Sequence, residues 1–229
     1  MPVIAHERTA MAKSRSYNLL CPIARALDAV GDRWSLLILR DLHAGPARFA
    51  DLQTGLTGIA SNLLTDRLAH LTAEGLIEKV SGPHGAMLYQ LTDTGRSTRG
   101  LLFALARTGA QLAPVPEPRK PGNLRTIAVT LAASLDLVIE ADTRLDAELT
   151  VDDEPFTIRV RDGSVTVLAG PNPAATARLA TSYDALLSAA AGIMPFEEFA
   201  AHHATASASD PGALSRFTAL MAAALAQLQ

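Results

Sequence analysis

The chain has 229 residues, 48% apolar and 19% charged, enough to bury one large core or two ordinary ones. No stretch approaches the roughly 18 consecutive apolar residues of a membrane span, the N-terminus lacks the apolar core of a secretory signal, and one cysteine excludes an intrachain disulfide framework, so a soluble, cytoplasmic protein is expected. The formal charge of −3 is uneven, with 12 Lys+Arg against 9 Asp+Glu up to Ala113 and 8 against 14 from Pro114 onward; a basic front half suits a polyanion, although such differences also arise between ordinary domains.

Residues 1–16 are polar and aperiodic and are expected to be disordered. Cys21-Pro22 opens a helix over about 22–30, since proline is favoured at the first helical position, and Ile23, Ala26, Leu27 and Val30 share one face. Gly31-Asp32 ends it, and Asp32 is placed to cap the next helix, about 33–43. That helix is apolar nearly all round, so it should be the buried centre of its domain, with Trp34 in the core. Gly45-Pro46 closes it.

A short helix over about 48–55 turns Phe49 and Leu52 the same way. Thr57-Gly58-Ile59-Ala60 then makes a sharp turn into a longer helix, about 61–74, with Ser61 as its expected N-cap. Leu64, Leu68 and Leu71 fall at i, i+4 and i+7 and form a narrow apolar stripe. The opposite side carries Asn62, Thr65, Asp66, Ala69 and His70, which are small or polar. A helix seated on one stripe, with short hydrogen-bonding side chains on the other, fits a DNA major groove. Strands at about 76–80 and 87–91, joined through Ser81–Gly85, would form a wing, so the pattern reads as a winged helix-turn-helix. A helix from Thr92 to about Leu112 follows. Its broad apolar face (Leu101, Leu102, Leu105, Ala106, Gly109, Leu112) needs a partner, either the domain's own core or a second subunit.

Four prolines within 114–121 predict an extended linker and the clearest domain boundary. Beyond it, Leu124, Ile127, Ala128, Leu131 and Leu135 repeat at helical spacing over about 122–135. The period then changes to two, through Leu145, Ala147, Leu149 and Val151, then Phe156, Ile158 and Val160, then Val165 and Val167. Asp162-Gly163 between the last two runs is a two-residue hairpin signal. A strand near 176–181, helices at about 183–192 and 195–201, an edge strand at 203–208 and a final helix at about 211–228 complete an α+β domain.

The runs CPIARALDAVGDRWSLLILRDLHAGPARFADL, GIASNLLTDRLAHLTAEGLIEK and YQLTDTGR resemble the HxlR-type bacterial transcriptional regulators over about 20–112. The resemblance implies a homodimeric winged-helix repressor or activator, dimerised through segments that map onto 17–30 and 92–112. Two-fold symmetry would set the recognition helices about 34–36 Å apart on double-stranded DNA with a palindromic operator. One departure is Ala60-Ser61, where the family often has a proline. The rear half, including TSYDALLSAAAGIMPFEEFA, is similar to SCP2-like (sterol carrier) domains. That likeness implies an apolar pocket for a small apolar effector between sheet and helices; the alternative is a closed core that only supports dimerisation. The expected architecture is a mostly α winged helix-turn-helix domain (17–113), a linker (114–121) and an SCP2-like α+β domain (122–229).

The DNA-contact candidates are Ser61, Asn62, Thr65 and His70 on the helix face, with Asn62 suited to bidentate reading of adenine. Arg67 on the shoulder suits a phosphate or an intramolecular acid, Arg48 a phosphate, and Lys79 and His84 of the wing the flanking backbone or minor groove. Cys21, beside a helix N-terminus, is either a redox sensor or an unreactive thiol packed in a dimer interface. No HExxH, GxSxG or Walker-type loop occurs, so no enzyme and no cofactor are expected. His202-His203 would diverge on a strand and suit a metal poorly, and Asp152-Asp153-Glu154 reads as a solvated turn. The competing reading is a carrier of lipids or hydrophobic metabolites whose front half serves only to dimerise it.

Overall fold

The computed structural model describes residues 16–112 and 123–229. The expected linker at 114–121, and the expected disorder of residues 1–15, lie outside the described residues. In the front half, helices α1 (Pro22–Val30), α2 (Ser35–Leu42), α3 (Phe49–Gly55) and α4 (Ser61–Ala73) precede strands β1 (Ile77–Ser81) and β2 (Met87–Leu91). Asp32 starts α2, because its Oδ1 accepts from the Trp34 and Ser35 main-chain N–H groups at 2.8 and 3.1 Å. Ile38, Leu39, Leu52, Leu64, Leu68 and Leu71 meet in one core with Ile77, and Trp34 packs half-buried against it. β1 and β2 pair antiparallel, with Lys79 opposite Tyr89, and Ala47 adds a bridge to Tyr89.

The single helix expected over 92–112 is instead two, α5 (Asp93–Arg96) and α6 (Arg99–Gln111). Thr92 donates to the Gly75 carbonyl at 2.6 Å and accepts from Gly95 N–H at 3.1 Å, tying the first turn to the root of the wing. Gly95 is pressed so close that a Cβ there would lie 2.0 Å from the Leu76 carbonyl oxygen. Thr98 then donates to the Gly95 carbonyl, and the helix restarts at Arg99.

The rear half opens with α7 (Thr126–Asp136) and builds a five-stranded sheet from β3 (Leu145–Val151), β4 (Glu154–Arg161), β5 (Ser164–Ala169), β6 (Ala177–Thr181) and β7 (Ala204–Ala208). The spatial order is β5-β4-β3-β6-β7; β3 to β5 form an antiparallel meander, β6 runs parallel to β3, and β7 pairs antiparallel at the edge. Both tight hairpins place two residues at positive φ, Asp152 and Asp153 at 45° and 69° and Asp162 and Gly163 at 50° and 70°. That geometry matches the right-handed twist of the flanking strands. Alternate residues of β3 are buried under α7 together with α8 (Tyr183–Ala190) and α10 (Pro211–Ala226), while Asp146 and Glu148 on the other face pair with Arg159, Arg161 and Arg178. The short helix α9 (Phe196–Glu198) runs into a π-helical turn over Phe199–His203. His202 and His203 therefore sit in that turn, not on the expected strand, which begins at Ala204.

The halves share a buried seam. Val129 of α7 belongs to the front core and Ala44 to the rear one. Asp41, fully buried on α2, accepts from Arg40 at 2.7 Å and from Asn123 Nδ2 at 2.8 Å. Arg125 reaches back to the carbonyls of Asp41 and Gly45 at 2.9 and 2.6 Å. Gly55 makes this approach sterically feasible, since a Cβ there would lie 2.2 Å from the Asn123 amide nitrogen. Arg99 adds a bond to Asp136 at 2.6 Å, and Ala169 N–H donates to the Ala44 carbonyl at 2.9 Å.

Candidate nucleic-acid interface

α4 is held from below by three leucines. Leu64, Leu68 and Leu71 are 0–1% exposed, so the helix cannot rotate without emptying the core. Ser61, Asn62, Thr65, Asp66 and Ala69 are all exposed, and neither half of the described chain covers them. The N-cap is Ala60, in extended conformation, one residue earlier than expected; Ser61 is the first helical residue and makes no capping bond. Ser61 is thus released from a structural duty and is exposed beside Asn62. Thr65 donates to the Ser61 carbonyl at 3.0 Å, which leaves its oxygen lone pairs as acceptors.

The far end of the face differs from the expectation. His70 is half-buried, with Nε2 3.3 Å from the Asp28 carbonyl of α1, so this ring fastens α1 to α4. Arg67 lies 3.6 Å from Asp32, resolving the two roles open to it in favour of the intramolecular acid. Helical periodicity alone could not name either partner, because Asp28 of α1 and Asp32 just after it lie more than thirty residues away.

Arg48 is exposed at the N-cap of α3, where its main-chain N–H donates to Asp51 at 2.9 Å. In the wing, Lys79 lies over the Tyr89 ring at 5.6 Å, a cation–π contact that steadies an otherwise exposed ammonium. His84 is exposed at the wing tip with φ of 56°. Ser61, Asn62, Thr65 and Arg48 therefore lie open on the helix-turn-helix, with Lys79 and His84 on the wing, whereas His70 and Arg67 are engaged internally. Cys21 is exposed at the N-cap of α1.

Two other segments of the front half also expose large apolar side chains. Tyr17, Leu19, Leu20, Ile23 and Leu27 at the N-terminal end, and Leu101 and Leu105 on α6 with Leu112 just after it, are each 42% exposed or more. The apolar pocket expected between sheet and helices has a counterpart in a cavity of about 230 Å³, and sequence reasoning missed that α6 closes one side of it through Ala106 and Ala110. Small residues on a helix carry no signal of what they border.

Residues 29–116 match the family model described as HxlR-like helix-turn-helix. An uncharacterized HTH-type transcriptional regulator of Mycobacterium tuberculosis is 38% identical over 97 residues, covering 42% of this chain and 61% of that protein. The chain thus spans 61% of the length of that relative. Another, from Synechocystis, is 33% identical over 93 residues, covering 40% of this chain and 69% of its own. Among solved structures, a candidate transcription factor, PA1607, is 38% identical and covers 45% of this chain and 73% of its own, with a TM-score of 0.42. No helix among the described residues is long and apolar enough to cross a membrane.

Proposed function

The chain belongs to the HxlR-like helix-turn-helix family, and from that premise we propose that it is a homodimeric, sequence-specific regulator of transcription. The observation that carries the reading is the open polar face of α4, locked in place by three leucines and uncovered by the rear half. Asn62 reads a base edge, Ser61 and Thr65 meet base or phosphate, and Arg48, Lys79 and His84 neutralise flanking phosphates. Asn62→Ala lowers affinity for the selected operator by about 1–3 kcal/mol, with little change on unrelated DNA. Fluorescence anisotropy over a salt series measures both, and equal losses on the two DNAs would strike Asn62 from the reading set.

The exposed apolar residues of 17–30 and of α6 support dimerisation through those segments, since large apolar side chains left open on a segment mark an interface. Twofold symmetry then calls for a palindromic operator. Leu105→Glu, on an exposed site that needs no refolding, yields monomers in sedimentation velocity; an unchanged dimer would move the interface elsewhere. Cys21, exposed next to Leu20 and Ile23, offers a thiol route of modulation. Operator binding that responds to peroxide equally in wild type and Cys21→Ser would remove it.

For the rear half we propose the SCP2-like assignment over 122–229, joined to the 17–113 domain by the 114–121 linker. Its support is the element order: helix, three-stranded meander, a parallel return strand, helices, an edge strand and a final helix.

A further inference from the structure

The Asp32 carboxylate, between α1 and α2, is held through both of its oxygens. Oδ1 accepts the Trp34 and Ser35 main-chain N–H groups, and Oδ2 accepts the Ser35 hydroxyl. Three donors from one helix turn fix the group, yet a carboxylate has about four acceptor directions, so one side stays free for another cation. Arg67 of α4 comes to it, with Nε 3.6 Å from Oδ1. Among the described residues, that Nε is the buried side-chain nitrogen left without a hydrogen-bond partner.

Arg67 is thereby divided. Its Nε is enclosed and faces the acid, while the side chain is 32% exposed and its two Nη groups make no hydrogen bond among the described residues. A guanidinium carries its five N–H donors in one rigid plane. An acid at the Nε edge therefore leaves the Nη edge able to take a second anion in bidentate fashion.

The place of Arg67 on α4 indicates which anion. It stands on the shoulder between the Leu64, Leu68 and Leu71 stripe and the open face of Asn62 and Thr65. A helix lying in the major groove has phosphates along both flanks. Arg48, Lys79 and His84 come from the start of α3 and from the wing. The flank nearest the α1–α2 connection carries Arg67 from α4 and, from the connection itself, the exposed Arg33, whose guanidinium lies 5.7 Å from the centre of the Trp34 ring.

We propose that Asp32 is a positioning residue for DNA binding: it orients Arg67 so that the Nη edge grips one backbone phosphate beside the base-reading stretch of α4, with Arg33 as a second cation at the same corner. The inference rests on the regulator reading above. An arginine held in place before DNA arrives loses less rotamer freedom on binding than a free one. The consequence runs against simple electrostatics, in which any carboxylate near the phosphates weakens binding. Here, removing an acid weakens it.

Salt titrations of the full chain by fluorescence anisotropy test this on a random-sequence duplex and on a duplex that the wild type selects from a random library. The wild type is read first; no salt-dependent binding to either duplex would end the regulator reading and this inference with it. Arg67→Gln should lose affinity by the same factor on both duplexes and lower the slope of log affinity against log salt by about 0.9, one phosphate contact. Asp32→Asn keeps the cap, since asparagine serves there equally well. It should still weaken binding about twofold or more, the lower end of coupling between contacting residues, and have no such effect in the Arg67→Gln background. Asp32→Ser, which also keeps a capping oxygen without the charge, takes over if Asp32→Asn melts early. Affinity in Asp32→Asn equal to or above wild type would overturn the positioning role. An unchanged salt slope in Arg67→Gln would overturn the phosphate contact. A loss in Asp32→Asn that persists in the Arg67→Gln background would assign Asp32 to the cap alone. Any of these three beside intact salt-dependent binding by the wild type leaves the regulator reading standing.

Discussion

Arg125→Ala should cost about 2–5 kcal/mol of folding stability, because two carbonyls at the seam lose their donor and a buried carboxyl loses nearby positive charge. Arg125 does two jobs at the seam. It donates to the carbonyls of Asp41 and Gly45, which lose their bonds when it goes, and an unpaired buried acceptor costs about 1–3 kcal/mol. It also supplies positive charge beside the fully buried Asp41. Burial pushes the Asp41 carboxyl above its ordinary range, while Arg40, Arg125 and Asn123 pull it back. Burial likewise lowers the Arg125 guanidinium, which Asp41, Asp51 and Glu154 hold up. Without Arg125, the carboxyl rises further and its proton is bound more tightly in the folded than in the unfolded chain. The deficit of the variant should therefore narrow as pH falls from neutral to mildly acid. Urea denaturation at the two pH values measures it. A loss below about 1 kcal/mol, the scale of an exposed pair, would mean that the desolvation of Arg125 cancels its bonds and the seam is held by its other contacts.

No local pattern announces that seam. Asp41 and Arg125 are separated by 84 positions, and each reads in isolation as an ordinary charged residue near a helix end. The elements themselves were legible because their signals are local. The spacing of Leu64, Leu68 and Leu71 gave the buried side of α4, the alternation in 145–151 gave β3, and Asp162-Gly163 gave a turn with both φ values positive. Errors came where a distant group overrode the local preference. Gly95, pinned under Leu76, breaks the helix expected to run on from Thr92. α1 engages His70, although helical phase alone puts it on the open face of α4, while Arg67 takes the intramolecular acid that was one of its two readings. The same reasoning found the α6 stripe of Leu101 and Leu105 but not the part that Ala106 plays in the cavity wall, because alanine is equally at home against a core, a void or water.

Acid should loosen the joint between α2 and α6 through His43. Its Nε2 lies 3.1 Å from Thr98 Oγ1, whose own hydrogen is committed to the Gly95 carbonyl at 2.6 Å. The ring nitrogen must therefore donate, which fixes a neutral imidazole with its proton on Nε2. Burial, then the charges of Arg99 and Arg96, lower its pKa from 6.5 to about 4. The unfolded chain takes up the proton near 6.5 and the folded one only near 4. Between those values the unfolded state binds more protons, so stability falls with pH. The contribution is fully present above 6.5 and is lost by about 3 kcal/mol at most once pH drops below 4. His43→Gln keeps a donor for Thr98 and removes the titration, so its stability curve should be flatter across that window. Asp41 pulls in the opposite direction, but it is common to both proteins and drops out of the difference. Parallel curves would mean that the folded protein protonates His43 without penalty. Because Thr98 marks the restart of α6, the dimer face proposed above depends on this bond, and operator affinity should decline over the same interval as stability.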